Sequence, residues 1–349
     1  MTKHYIFFLA LIASISNADD NYNYNYFNYN YIDKAHDMLS KKVVDYSHGI
    51  DNTIMNIIDD SEKNTTSAQA KKNTNELSVD TFFHNDKFID ETDETFVSVN
   101  LDYNIHSDTT KKFSQSISAR LPLSRSTKKY NLFINDITRD NIENVLGKGS
   151  NDEKARPEIG INYFTILYRD IQSKYSLGTN GINPFTTARY SLRINYKSWV
   201  IEPTQKFKYS LKDEFEEETN IYFDKQLADT RLFRLSLHRD TQTNQSGMDY
   251  SLALQHFWTY PNKIGLVLSQ SLGGNTEYRY STNNDLIPGE TKKDNGITSY
   301  TTALNFRQSI WRKWFYYAVT PSMNFNKQND YEANYSINFF VQFYFGHLN

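Results

Sequence analysis

The chain has 349 residues, a formal net charge of −3 and no cysteine, and 15% of its residues are aromatic. Without cysteine, disulfide bonds and thiolate metal sites are excluded, and the small net charge argues against nucleic acid as a partner. Mean hydropathy is −0.68, and beyond residue 18 no stretch reaches the roughly 18 apolar residues of a transmembrane helix, which excludes a helical membrane protein.

Residues 1–18 have the pattern of a secretory signal peptide. Lys3 and His4 form a short basic start, residues 5–15 are apolar, and residues 16–18 (Ser-Asn-Ala) place small side chains before a cleavage point. Because the apolar run is too short to span a bilayer permanently, we expect it to be removed on export.

Residues 19–94 form a separate N-terminal region with three kinds of sequence. The Asn/Tyr-rich tract at 21–31 predicts a flexible start, with a ligand-stacking surface as the alternative. Residues 32–58 predict one long helix and residues 59–75 a polar linker. Residues 76–94 predict a short element that docks at the rim of the domain that follows.

The helix is predicted from an apolar stripe with helical spacing. The stripe consists of Ile32, Ala35, Leu39, Val43, Tyr46, Ile50, Ile54 and Ile57. Four placements are considered for it: free in the surrounding solution, bound to a partner, inserted into the following domain as a plug, or packed against the mouth of that domain. We expect it to pack against the mouth.

From residue 95 onward the apolar residues repeat with a period of two, which predicts strands of about the 9–11 residues that a tilted transmembrane strand needs. We predict fourteen, at 95–105, 112–123, 129–136, 157–169, 172–182, 186–197, 198–210, 218–228, 231–241, 248–259, 262–273, 297–311, 313–326 and 332–346. An even number closes an antiparallel sheet without a free edge. The predicted fold is all-β, a closed antiparallel transmembrane β-barrel of about 14 strands over residues 95–349, preceded by an amphipathic helix. Twelve or sixteen strands are the alternatives.

The connections and the tryptophans give an orientation to this barrel. Connections at one end are brief, whereas those at the other end are expected to be longer loops, at 137–156, 181–185, 213–218, 241–247 and 274–296. All four tryptophans fall at the end with the brief connections, namely Trp199, Trp258, Trp311 and Trp314. Amphipathic rings favour a membrane interface, so this end is predicted to lie at one.

The last strand carries the clearest pattern and a resemblance. In residues 331–345, YEANYSINFFVQFYF, Ile337, Phe339, Val341, Phe343 and Phe345 form one apolar row. An aromatic-ended alternating strand near the C-terminus resembles the terminal strand of Gram-negative outer-membrane β-barrels, although residues 346–349 follow the last Phe here.

With its leader, helix and alternating strands, the chain is similar to porin-like outer-membrane proteins of Gram-negative cells. The resemblance implies a barrel in the outer membrane with residues 19–94 in the periplasm. It also implies contact with outer-membrane lipid and lipopolysaccharide, and insertion by the barrel assembly machinery. The helix at 32–58 would then be available to a periplasmic partner.

Charged rows of the predicted strands are expected to face inward, because an Arg in hydrocarbon costs about 2–4 kcal/mol near the midplane. The lumen-lining candidates are Arg120, Arg189, Arg193, Glu202, Lys206, Lys208, Asp224, Arg234, His238, Asp249 and Arg307. A basic excess among them would favour anions in an open pore. A closed lumen filled by paired charges is the alternative.

Neither a catalytic site nor a metal or cofactor site is predicted. Ser236 and His238 share one face of a strand, but no third partner can be assigned from sequence. The acidic residues 213–218 have oxygen ligands suited to divalent cations, but a solvated loop is the favoured interpretation.

The predicted function is a passive channel for small polar or anionic solutes with an N-terminal plug. The alternative is a filled structural barrel that anchors the helix to a periplasmic partner. A lipid-acting outer-membrane hydrolase is less favoured.

Overall fold

The computed structural model describes residues 28–58, 79, 95–107, 111–123, 130–134, 158–166, 171–261, 263–281, 291–309, 312 and 314–346. The predicted signal peptide, residues 19–27, the linker at 59–75 and most of residues 76–94 lie outside this part of the chain, as does Trp311.

One long helix precedes the strands, α1 (Asn28–Ile58). The strands are β1 (Phe96–His106), β2 (Lys112–Pro122), β3 (Tyr130–Ile134), β4 (Glu158–Ile166), β5 (Gln172–Asn180), β6 (Asn183–Ser191), β7 (Ile194–Tyr196), β8 (Trp199–Ser210), β9 (Glu214–Ala228), β10 (Arg231–Gln242), β11 (Asp249–Tyr260), β12 (Ile264–Ser281), β13 (Thr291–Gln308), β14 (Phe315–Asn326) and β15 (Ala333–Gly346). Every pairing is antiparallel, and all join chain neighbours except two: β6 pairs with β8, and β1 pairs with β15 and closes the sheet.

The fifteen strand segments make a barrel of fourteen strands. Both β6 and β7 pair with β8 in one unbroken register, from Phe185 opposite Ser210 to Tyr196 opposite Trp199. Between them the N–H of Leu192 donates to the carbonyl of Pro203, which has no N–H to return the bond. The interruption is therefore local, and the prediction of a closed 14-strand antiparallel barrel is confirmed for the described part of the chain.

The two faces of the wall differ in chemistry. In β15 the row from Ile337 to Phe345 is the more exposed one, whereas Phe340, Gln342 and Tyr344 are buried, so the apolar row faces outward. Residues paired across an antiparallel ladder share a face, and the registers carry this assignment around the whole wall. The outer face is predominantly apolar, and the inner face carries most of the charge.

The height of the apolar band can be estimated from the outer face of β10. Phe233, Leu235 and Leu237 lie between Arg231 and Arg239, all on the same side of the strand. Eight residue steps of about 3.3 Å, on a strand tilted by about 40°, give an apolar band of roughly 20 Å. That height is close to the apolar band of a transmembrane barrel.

Both ends of the barrel domain lie at the same rim, here called the terminal rim and defined by Phe96 and Gly346, which pair with each other. Trp199, Trp258 and Trp314 lie at the strand ends of this rim, as predicted. Lys197–Ser198 and Asp229–Thr230 are two-residue connections there.

Two of the long loops predicted at the opposite rim are wrong, and a third is shorter than predicted. Residues 181–185 reduce to the two-residue turn at Gly181 and Ile182, where Gly181 has φ 64°. Residues 214–218 belong to β9, and β12 and β13 extend through most of 274–296. These segments were predicted as loops because they are polar. Polar residues can nevertheless extend a pair of strands beyond the apolar band when they keep the two-residue alternation of a strand.

The helix is confirmed, but it presents a different face to the barrel than its apolar stripe predicts. His36, Ser47 and Asp51 are buried, while Leu39 and Tyr46 of the stripe are exposed. The buried positions follow the predicted ones by one residue, a rotation of about 100°. Among the described helices, none has the length and apolarity needed to cross a membrane.

Candidate functional site: the barrel interior

The structure places all eleven sequence-predicted lumen candidates on inner-facing rows of the wall. Arg193 is the one outside a strand, between β6 and β7, where the shared register sets it opposite Glu202. The rows bring Asp224 beside Arg234, Arg189 beside Lys206, and Lys208 beside Glu216. Arg120 lies apart from these pairs, beside Phe96 at the terminal rim.

Arg234 and Asp224 form an ion pair inside the barrel. The Nε of Arg234 donates to Oδ1 of Asp224 at 2.8 Å, and an Nη donates to Oδ2 at 3.0 Å. The guanidinium lies 5.2 Å from the ring centre of Phe257 and 5.7 Å from that of Tyr222. The two charged side chains are 1% and 0% exposed, so this part of the interior is filled.

A residue from the N-terminal region contributes to that filling. Val79 packs with Leu232, Phe257 and Val267, and all four side chains are 0% exposed. Leu232, Phe257 and Val267 are register partners on β10, β11 and β12, one row closer to the terminal rim than Arg234. This apolar row, with Val79 on it, is called the Val79 seat below.

Burial of the inner face differs between parts of the wall. Near the terminal rim the inner side chains of several strands are buried, including Ser98, Phe133, Arg307, Gln342 and Tyr344. Toward the opposite rim Ser114 and Ser116 are exposed and Asp102 is half-buried. On other strands of that half the inner side chains are buried, including Phe185, Ser210, Asn275 and Ser299, so the exposed inner wall is the part formed by β1 and β2.

Charges on the inner wall are segregated within one row that runs across six strands. Three bases stand side by side on β5, β6 and β8, and three acids continue the row on β9, β10 and β11. In order, the row is Lys174, Arg189, Lys206, Glu218, Asp240 and Asp249. The two halves meet where Nζ of Lys206 lies 3.0 Å from a carboxylate oxygen of Glu218.

The sequence predicted more basic than acidic side chains on the inner wall. Among the described residues this prediction is wrong. Nine inner-facing bases can be placed by register, namely Lys112, Arg120, Lys174, Arg189, Arg193, Lys206, Lys208, Arg234 and Arg307. Nine acids face the same interior, namely Asp102, Glu158, Glu202, Glu214, Glu216, Glu218, Asp224, Asp240 and Asp249.

The predicted excess of bases disappears partly because three of these acids lie in the segment that was predicted to be a loop. Glu214, Glu216 and Glu218 continue β9 on the inner face, where Glu216 and Glu218 lie 3.9 and 3.0 Å from Nζ of Lys206. Lys174 and Glu158 were also missed from the sequence. Glu158 reaches Nζ of Lys208 at 3.2 Å. Their alternation with apolar neighbours was the signal that could have found them.

The pair considered for catalysis lies inside the barrel. Ser236 has Tyr222 and Ala253 as its register partners, neither of which is an acid. Nδ1 of His238 lies 2.7 Å from Oδ1 of Asn220 and 3.8 Å from Glu218. Within the described residues no group of three or more His, Asp or Glu side chains is arranged to hold a metal ion. The absence of an enzymatic site stays a prediction.

Comparisons with known proteins give similarity in structure alone. No protein-family model matches the sequence, and no curated protein matches it. The NanC porin is similar over 70% of this chain and 98% of its own, with 8% identity and a TM-score of 0.36. The KdgM porin, solved with disordered oligogalacturonate, has the same coverage and identity and a TM-score of 0.32. OccK5 of Pseudomonas aeruginosa is similar over 72% of this chain and 97% of its own, with 7% identity and a TM-score of 0.41. The barrel assignment follows from the strand pairing of this chain itself.

Proposed function

We propose that this protein is an outer-membrane channel for small polar solutes, described here in a state closed by its N-terminal region. The observation that carries the proposal is the Val79 seat: a residue from before the barrel packs on the inner wall of a closed barrel with an apolar exterior.

Membrane placement is supported by the outer face. The apolar band of roughly 20 Å on β10 ends at an Arg on each side, and tryptophans lie at the terminal rim. A closed barrel leaves no unpaired strand edge to lipid. With the N-terminal region exported ahead of the barrel, the terminal rim faces the periplasm.

The strength of the Val79 seat fits a reversible closure. Burying one Val side chain contributes about 1.5–3 kcal/mol, which corresponds to roughly a 10- to 150-fold preference for the seated state. An anchor of this size keeps the segment in place without making its release prohibitively slow. The lumen then opens when the segment leaves.

The charge balance supports weak rather than strong ionic selectivity. Nine bases and nine acids face the described interior, so the wall has no net preference for one sign. The segregated row from Lys174 to Asp249 instead offers opposite charges on neighbouring parts of the wall. Small polar solutes, charged or neutral, are the class that this interior fits.

The test is single-channel recording in planar bilayers with the mature chain. Val79→Asp places a carboxylate among Leu232, Phe257 and Val267, where an unpaired charge is disfavoured by several kcal/mol. We expect this variant to conduct in discrete steps far more often than the unchanged chain. Val79→Ile keeps the apolar contact and is the matched control, expected to stay as closed as the parent.

Silence of the Val79→Asp variant, in a folded and inserted barrel, would refute the channel. It would favour the second candidate, a filled structural barrel that holds α1 for a periplasmic partner. The observation that supports this second candidate is the burial of the Arg234–Asp224 pair and of much of the inner wall around it.

A further inference from the structure

The start of α1 is attached at the terminal rim beside residues of the outer face. The imidazole of His36 stacks on Trp314, with ring centres 4.3 Å apart, and lies 5.4 Å from the ring of Phe345. Phe345 belongs to the outward-facing row of β15. The first turns of α1 are therefore next to the surface that the barrel presents to lipid under the proposed function.

Two polar contacts fix this attachment. Nε2 of His36 donates to the carbonyl of Tyr344 at 2.8 Å, because a carbonyl oxygen only accepts. Asp33 accepts two hydrogen bonds from the guanidinium of Arg312, which lies between β13 and β14; the second, from an Nη, measures 2.9 Å. Paired hydrogen bonds of this kind define direction as well as position.

Helical geometry divides the described part of α1 into three faces, roughly 100° to 130° apart. The face toward the barrel contains His36, Ser40, Ser47 and Asp51. An exposed charged face contains Lys34, Asp37, Lys41, Asp45 and His48. The remaining face is apolar and contains Tyr31, Ala35, Met38, Leu39 and Tyr46.

The apolar face is unusually exposed for side chains of this size. Tyr31 is 67%, Met38 55%, Leu39 44% and Tyr46 70% exposed. Lys42 stands among them, with a long stem that can lie along apolar surface while its ammonium group reaches polar surroundings.

We propose that this face lies in the membrane interface beside the barrel and binds anionic phospholipid. Three surroundings meet at the rim of a membrane barrel, namely the protein wall, lipid and water, and α1 has one face suited to each. The apolar face continues the lipid-facing surface from Phe343, Phe345 and Trp314. A helix with Lys on its polar side and a large apolar face is the kind that binds anionic bilayers in their surface plane.

This inference rests on the proposed membrane placement of the barrel, and the experiment separates the two. Because the chain has no cysteine, a single introduced Cys can carry an environment-sensitive fluorophore at a unique site. The variants are Met38→Cys and Tyr46→Cys on the apolar face, His48→Cys on the charged face, and Phe339→Cys on the outer wall. Each full mature chain is reconstituted in vesicles of phosphatidylglycerol and phosphatidylcholine, with or without lipids brominated near the headgroup.

We expect the bromolipids to quench the probes at positions 38, 46 and 339, with blue-shifted emission, and to leave the probe at 48 largely unquenched. Removing phosphatidylglycerol should reduce quenching at 38 and 46 but not at 339. If positions 38 and 46 are as solvated as 48 while 339 is quenched, lipid does not cover α1, and a protein partner becomes the occupant. If 339 is unquenched too, the membrane placement itself has failed.

Discussion

Arg234 donates two hydrogen bonds to Asp224 across neighbouring strands, deep in the barrel and beneath the Val79 seat. Each residue is the charge partner of the other in surroundings that also contain Phe257 and Tyr222. Removing one member of such a buried ion pair is strongly destabilising, because the other charge then stays in the interior without its partner.

Asp224→Asn is therefore expected to lower the free energy of unfolding by about 3–5 kcal/mol. The measurement is urea unfolding of the reconstituted barrel, followed by its heat-modifiable gel mobility. Glu332→Gln, at an exposed position just before β15, is the control and should change stability by less than about 0.5 kcal/mol. Equal stability of the two variants would show that the pair contributes nothing.

Selectivity should follow the segregated charge row. In the conducting Val79→Asp background, replacing Lys174, Arg189 and Lys206 by Gln should shift the reversal potential under a salt gradient toward cation preference. Replacing Glu218 by Gln and Asp240 and Asp249 by Asn should shift it toward anions. Unchanged potentials in both triple variants would mean that ions do not pass this row.

The attachment of α1 can be tested at Asp33. Asp33→Asn removes the charge that Arg312 holds, and we expect α1 to become accessible to added protease at a lower enzyme concentration. Asp37→Asn is the matched control. The Asp37 side chain is 80% exposed, so its contact with the neighbouring His36 contributes little to the attachment of α1. Equal cleavage of both variants would place the attachment elsewhere.

Two glycines should respond oppositely to alanine. On β4 a Cβ at Gly160 would lie 2.8 Å from the ring of Phe133 and 2.8 Å from the Cα of Gly178, so Gly160→Ala should cost about 1–3 kcal/mol. In α1 a Cβ at Gly49 would meet no atom within 4 Å, and Gly49→Ala should stabilise the helix by about 1 kcal/mol. Urea unfolding of the barrel tests the first change, and protease accessibility of α1 tests the second.

Much of the barrel was predictable because alternation is a local property. Ile337, Phe339 and Phe343 face outward simply because successive side chains of a strand point to opposite sides, and each of the fourteen predicted strands has its counterpart. The helix was predictable from its spacing for the same reason. The acidic residues of β9 were missed because polar composition cannot distinguish a loop from a strand that extends beyond the apolar band.

The sequence by itself predicted a closed barrel of about fourteen strands, with twelve or sixteen left open, and it determined the inward direction of the charged rows. It could do so because a repeat of two residues fixes a side chain's face wherever the strand lies. The tertiary structure alone decided which side chains meet. Asp224 reaches Arg234 through the register of two strands, Val79 reaches Phe257 across 178 residues, and His36 rather than Leu39 faces the barrel. These contacts depend on how distant segments pack, and no local pattern encodes that.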